Sequence, residues 1–253
     1  MMISNPSNSL EWMVFLAQKY SSMFIKGTWL TLYISVVGTL LGFVLGYIVG
    51  IVNDVKLNDG DNIVKKGLIR IVKVIFTVYV EVFRDTPMIV QAMIVYYGIR
   101  QMGYENLTPV FAGILVTVLN TGAYMSETVR AGIKSIDAGQ REGALAMGMS
   151  PMQAMFYVIL PQAFKNIIPE MANTFLTNLK MTSVLNVIGI QELFMQAKTV
   201  GGTYYKYFES YLVIALIYLV LCVAFNRLFL FIEKKMAGKK DYVLAVEYME
   251  DKQ

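Results

Sequence analysis

The stretch Asp137-Ala138-Gly139-Gln140-Arg141-Glu142-Gly143-Ala144-Leu145-Ala146-Met147-Gly148-Met149, continued through Ser150-Pro151 to Val158-Ile159-Leu160-Pro161, decides how this chain is built. It is a polar island between long apolar segments. Ser135 to Met147 is rich in helix formers and follows a Ser or Asp fit to cap a helix. Ser150-Pro151 suits the cap and first turn of a second helix. Gly148 stands between the two and permits a backbone bend that other residues resist. The expected product is an elbow of two short helices, held between membrane-embedded elements.

Composition supports the membrane part. Of 253 residues, 56% are apolar and 16% charged, against about a quarter charged in a soluble domain. Charge-free runs extend over Gly27–Asn53, Asn106–Ser126 (with Glu105 and Glu127 just outside) and Tyr211–Asn226. Crossing the hydrocarbon core takes roughly 20 mostly apolar residues. Backbone groups in lipid must bond internally, so these runs are expected to be helices. Gly38, Gly42, Gly46 and Gly50 recur every four residues, which puts them on one helix face open to close packing. Weaker candidates are Ile63–Ile99, with charges at Arg70, Lys73, Glu81, Arg84 and Asp85, and Pro169–Gln191, with Glu170 and Lys180.

Several absences bound the function. There is no histidine, so no histidine-based metal site, triad or haem ligation is available. The single cysteine, Cys222, has no partner for an internal disulfide. No Gly-x-x-x-x-Gly-Lys-Ser/Thr stretch is present, so the chain has no P-loop of its own. No cleavable signal peptide is visible. The net charge of +4 follows from membrane orientation without invoking nucleic acid.

The elbow resembles the cytoplasmic loop of ABC-importer permeases whose pattern is E-A-A, three residues, G, nine residues, I-x-L-P. Here it reads Glu142-Gly143-Ala144, Gly148, then Val158-x-Leu160-Pro161, with Gly143 in place of the first Ala and Val158 in place of Ile. Further blocks resemble the polar-amino-acid permeases of the histidine/glutamine/arginine type. They are Phe83-Arg84-Asp85-Thr86-Pro87-Met88-Ile89-Val90-Gln91, Tyr124 to Ile133, Ile159-Leu160-Pro161-Gln162-Ala163, and Leu179-Lys180-Met181-Thr182-Ser183-Val184-Leu185. Asp85 replaces a Gly and Met181 replaces an Asp of that pattern.

The resemblance implies an all-α, polytopic fold of the type I importer kind, one permease domain over residues 1–253. Its coupling loop spans about 134–165 and its cytoplasmic tail about 233–253. Placing the loop in the cytoplasm gives five crossings: Gly27–Val52 inward, Pro87–Ile99 outward, Asn106–Arg130 inward, about 169–190 outward and about 211–232 inward. The N-terminus is then outside and the C-terminus inside the bacterial cytoplasmic membrane. Lysine and arginine agree with this: six in 53–84, four in 130–165 and six from Arg227 onward lie on the inner side. Lys65–Glu81 is expected as an amphipathic or partly buried helix near the inner surface.

The implied function is a permease subunit for amino-acid import. ATP and Mg are bound by a partner ATPase, so the chain carries no cofactor. An extracytoplasmic solute-binding protein delivers the substrate, and a second permease copy or a homologue completes the pore. Glu142, Gly143, Ala144, Gly148, Leu160 and Pro161 are expected at the ATPase coupling site. Lys180, Thr182, Ser183 and Gln91 are expected along the translocation path. Lys180, near the middle of the fourth crossing, carries a charge costly enough there to face a cavity or a partner, and would disfavour cationic cargo. The alternative is a secondary transporter or channel for small polar solutes. Tyr204, Tyr205, Tyr207, Phe208 and Tyr211 suit an outer aromatic belt.

Overall fold

The computed structural model describes residues 6–55 and 62–237, all of them helical or in short connections. Ten α-helices follow in order: α1 (Ser9–Lys19), α2 (Ser21–Asp54), α3 (Ile63–Asp85), α4 (Met88–Gln101), α5 (Pro109–Lys134), α6 (Ala138–Ala146), α7 (Pro151–Ala154), α8 (Leu160–Met181), α9 (Leu193–Tyr204) and α10 (Tyr207–Ala237). A π turn over Met155–Ile159 joins α7 to α8, and a 3-10 segment over Thr182–Ile188 follows α8.

The glycine face of α2 organises the bundle. A Cβ at Gly42 would stand 2.5 Å from Thr121, one at Gly46 2.6 Å from Met125 and one at Gly50 2.8 Å from the Ser126 carbonyl. Gly38 meets Thr117 in the same way. The partners on α5 advance in step with the glycines, so α2 and α5 run parallel with their backbones in near contact. Small residues at four-residue spacing allow that approach. Two parallel helices require the intervening α3 and α4 to return the chain to the side where α2 began.

α8 runs the other way. Asn178 reaches Thr121, Thr174 meets Met125 and Asn166 reaches Ser135, so its start lies level with the end of α5. α10 reverses again: Tyr218 lies beside Lys180 at the end of α8, Phe225 and Phe229 pack on Phe175, and Met236 lies beside Asn166 near its start. Three buried clusters fill the bundle. Ile34, Tyr96, Val116 and Leu185 centre one, Met125, Leu160 and Ile167 a second, and Leu16, Phe24, Leu193 and Val213 a third.

By length and composition, three of the described helices are fit to cross a membrane: α2, α5 and α10. The segment expected to cross at Pro87–Ile99 is α4, whose 14 residues extend about 21 Å, short of the roughly 30 Å hydrocarbon core. It is preceded by the 23-residue α3, from which Thr86-Pro87 separates it. The stretch expected at about 169–190 is divided between α8 and the 3-10 segment, which stops at Gly189 in the left-handed region (φ 86°). Helix α1 was not foreseen. It packs its Leu16 beside Val213 and Ile214 of α10. The tail beyond 237, with Lys239 and Lys240, lies outside the described residues.

Candidate functional site

The elbow is built by local rules. Asp137 caps α6 by accepting from Gly139 N–H. Gly148 lies at φ 85°, where a side chain costs roughly 1–2 kcal/mol. There Gly148 N–H donates to Leu145 and Met149 N–H to Ala144, a pair of bonds that closes the last turn of the helix. Ser150 and Gln153 then cap α7 reciprocally: Gln153 N–H donates to Ser150 Oγ, and Ser150 N–H to Gln153 Oε1. Pro161 has no N–H, and its ring crowds the carbonyl four residues back. The chain widens into a π turn just before it, with Leu160 N–H donating to Met155 O.

Of the expected coupling residues, Ala144 and Leu160 are buried in the bundle. Glu142, Gly143 and Gly148 face outward, and among the described residues nothing pairs with the Glu142 carboxylate. Gly143 has open space where a Cβ would stand, so an Ala fits there as well. Around Gly148 the elbow exposes Leu145, Met147, Met149, Met152, Phe156 and Tyr157, with Met147 84% and Tyr157 74% exposed. Clustered exposed apolar side chains of this kind mark an interaction surface, for a protein or for a membrane. The back of the elbow is braced: Asn166 Nδ2 donates to Ser135 Oγ (3.0 Å) and Gln162 Nε2 to Gln140 Oε1 (3.3 Å). Arg130 pairs with Glu127 one turn away.

A groove of about 280 Å³ opens between α5 and α8, with Met88 of α4 beside it, and most of its lining residues carry polar groups on apolar stems. Asn120, Thr121, Tyr124 and Thr128 line it from α5. From α8 come Glu170, Asn173, Thr174, Thr177, Asn178 and Met181. The α8 spacing of three, four, seven, eight and eleven residues is one helix face. Polar residues on a membrane helix face a bundle interior or a water-filled cavity. At the groove floor, Asn178 Nδ2 donates to Thr39 and Thr121, 2.9 Å each, tying α8 to α2 and α5. Glu170 is the charged residue of this lining.

The four residues expected on the path, Gln91, Lys180, Thr182 and Ser183, do not line this groove. Lys180 lies one residue before Met181 and so about 100° around α8. It lines a separate crevice with Ser183, Phe194, Tyr211 and Tyr218. The premise that Lys180 makes the path positive therefore does not hold for the groove. Thr182 is buried and donates to Leu179 O, and Ser183 donates to Lys180 O. Both hydroxyls serve the carbonyls where α8 tightens into the 3-10 segment. Gln91 is buried at the α3–α4 break. Pro87 cannot donate to Phe83 O, and Gln91 Nε2 supplies that bond at 3.0 Å while also reaching Thr86 O at 2.9 Å. Asn120 donates to the same Phe83 carbonyl and to Gln91 Oε1. The groove's α8 lining follows the helical period of 170, 173, 174, 177 and 178, a pattern that adjacent residues such as 180, 182 and 183 do not share.

On the side of the bundle away from the elbow, Glu192 begins α9. It is fully buried and accepts from Phe194 and Met195 N–H, 2.8 Å each. Burial pushes its carboxyl up to about 7, against the lowering by those two bonds. Tyr204 sits among Trp12, Phe15 and Tyr20, and Lys19 Nζ donates to its hydroxyl at 2.6 Å.

The fold and the site together define a polyhelical membrane domain with an exposed elbow and a groove beside it. Residues 67–238 match the family described as "Binding-protein-dependent transport system inner membrane component", and the chain belongs to that family. It is a multi-pass membrane protein. The probable amino-acid permease protein YxeN of Bacillus subtilis is 37% identical over 69% of this chain and 79% of its own length. The arginine transport system permease protein ArtQ of the same organism is 38% identical over 62% and 72%. A putative glutamine transport system permease protein GlnP of Rickettsia prowazekii is 32% identical over 84% and 92%. Among solved structures, an amino acid ABC transporter crystallised with histidines superposes with a TM-score of 0.78 at 33% identity, covering 91% of this chain and 100% of that one. The MetNI methionine ABC transporter superposes at 0.67 with 22% identity and shares the fold.

Proposed function

We infer that the chain is the transmembrane permease subunit of an ATP-driven amino-acid importer. The observation that carries this reading is the pairing, in one family member, of a groove along α8 with an apolar elbow at its base. The groove is the translocation path, and a second permease copy or a homologue covers its open side. The elbow seats in an ATPase subunit, which binds ATP and Mg and hydrolyses the nucleotide. A solute-binding protein delivers cargo at the opposite face, around α9 and the aromatic cluster at Tyr204. Five crossings account for the alternating helix directions: α2, α3 with α4, α5, α8 with the 3-10 segment, and α10. The N-terminus is outside and the elbow in the cytoplasm, in keeping with the inner bias of lysine and arginine.

The class of cargo rests on the relatives, which are named for amino acids, arginine and glutamine. The groove adds a carboxylate, Glu170, and no basic side chain to its lining. That suits the ammonium group every amino acid carries, and it does not exclude a cationic side chain.

The test is reconstitution with the ATPase and binding protein, reading hydrolysis and uptake separately. Gly148→Pro forces φ to about −65° where the chain needs 85°. It is expected to leave basal hydrolysis in place and abolish its stimulation by loaded binding protein. Glu170→Gln is expected to keep the stimulation and change uptake. Full stimulated hydrolysis in Gly148→Pro contradicts the coupling role of the elbow.

A further inference from the structure

The first three turns of α3 carry a surface that the transport reading does not use. Lys66, Arg70 and Lys73 recur at four and three residues and form one stripe. Beside it Val64, Leu68, Ile71, Ile75 and Val78 form a second stripe, each more than half exposed. From Asn62 to Val80 there are four basic residues and no acidic one; Glu81 is the first. The position along the bundle is set by Lys73, whose Nζ donates to Asn53 O (3.1 Å) and Val55 O (2.6 Å) at the end of α2. The turns before Lys73 therefore lie at the end of a membrane-crossing helix, where hydrocarbon gives way to headgroups. Arg70 is exposed, and no described residue pairs with it. It borders a trough lined by Gly67, Ile71, Val74 and Ile75, and Gly67 leaves a notch with nothing within 4 Å of where a Cβ would stand.

We propose that this trough binds an anionic phospholipid, its phosphate on the Arg70 guanidinium and one acyl chain along Ile71, Val74 and Ile75. A helix with a basic stripe beside an apolar one lies at a membrane surface and favours acidic lipids. Guanidinium matches phosphate oxygens two at a time. A second copy of this chain is a poorer occupant, because a two-fold partner would bring the same basic stripe against this one. The leaflet concerned, the inner one, follows from the orientation proposed above. The lipid contact itself is independent of that orientation and of transport.

The experiment places photoreactive benzoylphenylalanine at Ile71 in the complete transporter, reconstituted in equimolar phosphatidylglycerol and phosphatidylcholine. Adduct masses are then read after illumination. Phosphatidylglycerol adducts are expected to exceed phosphatidylcholine adducts about fivefold for each basic residue engaged. Lys66→Gln with Arg70→Gln brings the ratio towards one, as does molar salt, which shortens screening to about 3 Å. Arg70→Lys retains most of the excess. Equal adducts to both lipids in the unmutated stripe overturn the proposal, since the face is then ordinary lipid-exposed surface. Adducts to protein overturn it as well, since another chain then covers the trough.

Discussion

At the scale of single residues, backbone accounting decides more than charge does. Gln91 sits in a motif that suggests contact with cargo, yet its amide is spent on the Phe83 carbonyl, which Pro87 cannot serve, and on the Thr86 carbonyl. Gln91→Leu keeps the volume and removes the donor to Thr86 O, one of two donors to Phe83 O and an acceptor for Asn120, at a cost of about 1 kcal/mol. The expected result is a lower unfolding midpoint in detergent with cargo preference unchanged. A changed preference at unaltered stability would place Gln91 on the path instead. The sequence showed that Gln91 and Pro87 belong together; it did not show why, because the missing bond belongs to Phe83, eight residues away. Lys180 carries the complementary lesson. Its depth in the membrane was readable from position in the chain, but its direction depends on one step of 100° around α8.

At the scale of elements, periodicity carried most of the information. Four glycines every fourth residue announced a close helix contact, and α5 supplies it. The partner was not readable, since any membrane helix with small or β-branched residues could have served. Thr117 and Thr121 show their fit only when placed against Gly38 and Gly42. Gly42→Leu drives a side chain into Thr121 and the Val118 carbonyl. Overpacking typically costs about 1–3 kcal/mol, and contact with backbone leaves little room to relax. Loss of folded, monodisperse protein is expected by size-exclusion chromatography, whereas Leu40→Ala, on an exposed face of α2, is expected to be tolerated. Equal behaviour of the two variants would remove the glycine face from its organising role. The elbow was visible because its caps are local: Asp137, Ser150 with Gln153, and Gly148 each act within a few residues. The π turn was not, because the pattern announces Pro161 without saying how the chain absorbs it. The broken fourth segment escaped for a related reason, since hydropathy is blind to the change from α to 3-10 geometry at Thr182.

At the scale of the whole molecule, parallel α2 and α5 with reversed α8 mean that the elbow and the start of α5 lie on opposite faces. Met147 and Tyr104 are exposed at those two faces, 84% and 69%. With Cys222→Ser as background, Met147→Cys is expected to react with an impermeant maleimide only from the cytoplasm and Tyr104→Cys only from outside. Labelling of both from one side would show that α5 does not cross the membrane between them, and the five-crossing reading would be wrong.

The central claim is that this chain moves its cargo only when a separate ATPase drives it through the elbow. The direct measurement is uptake of radiolabelled amino acids into vesicles holding the chain, with and without its ATPase subunit, binding protein and ATP, and with imposed proton or sodium gradients. The account predicts uptake that requires the ATPase, the binding protein and ATP together, and none from a gradient alone. Gradient-driven uptake by the chain without the ATPase would contradict it.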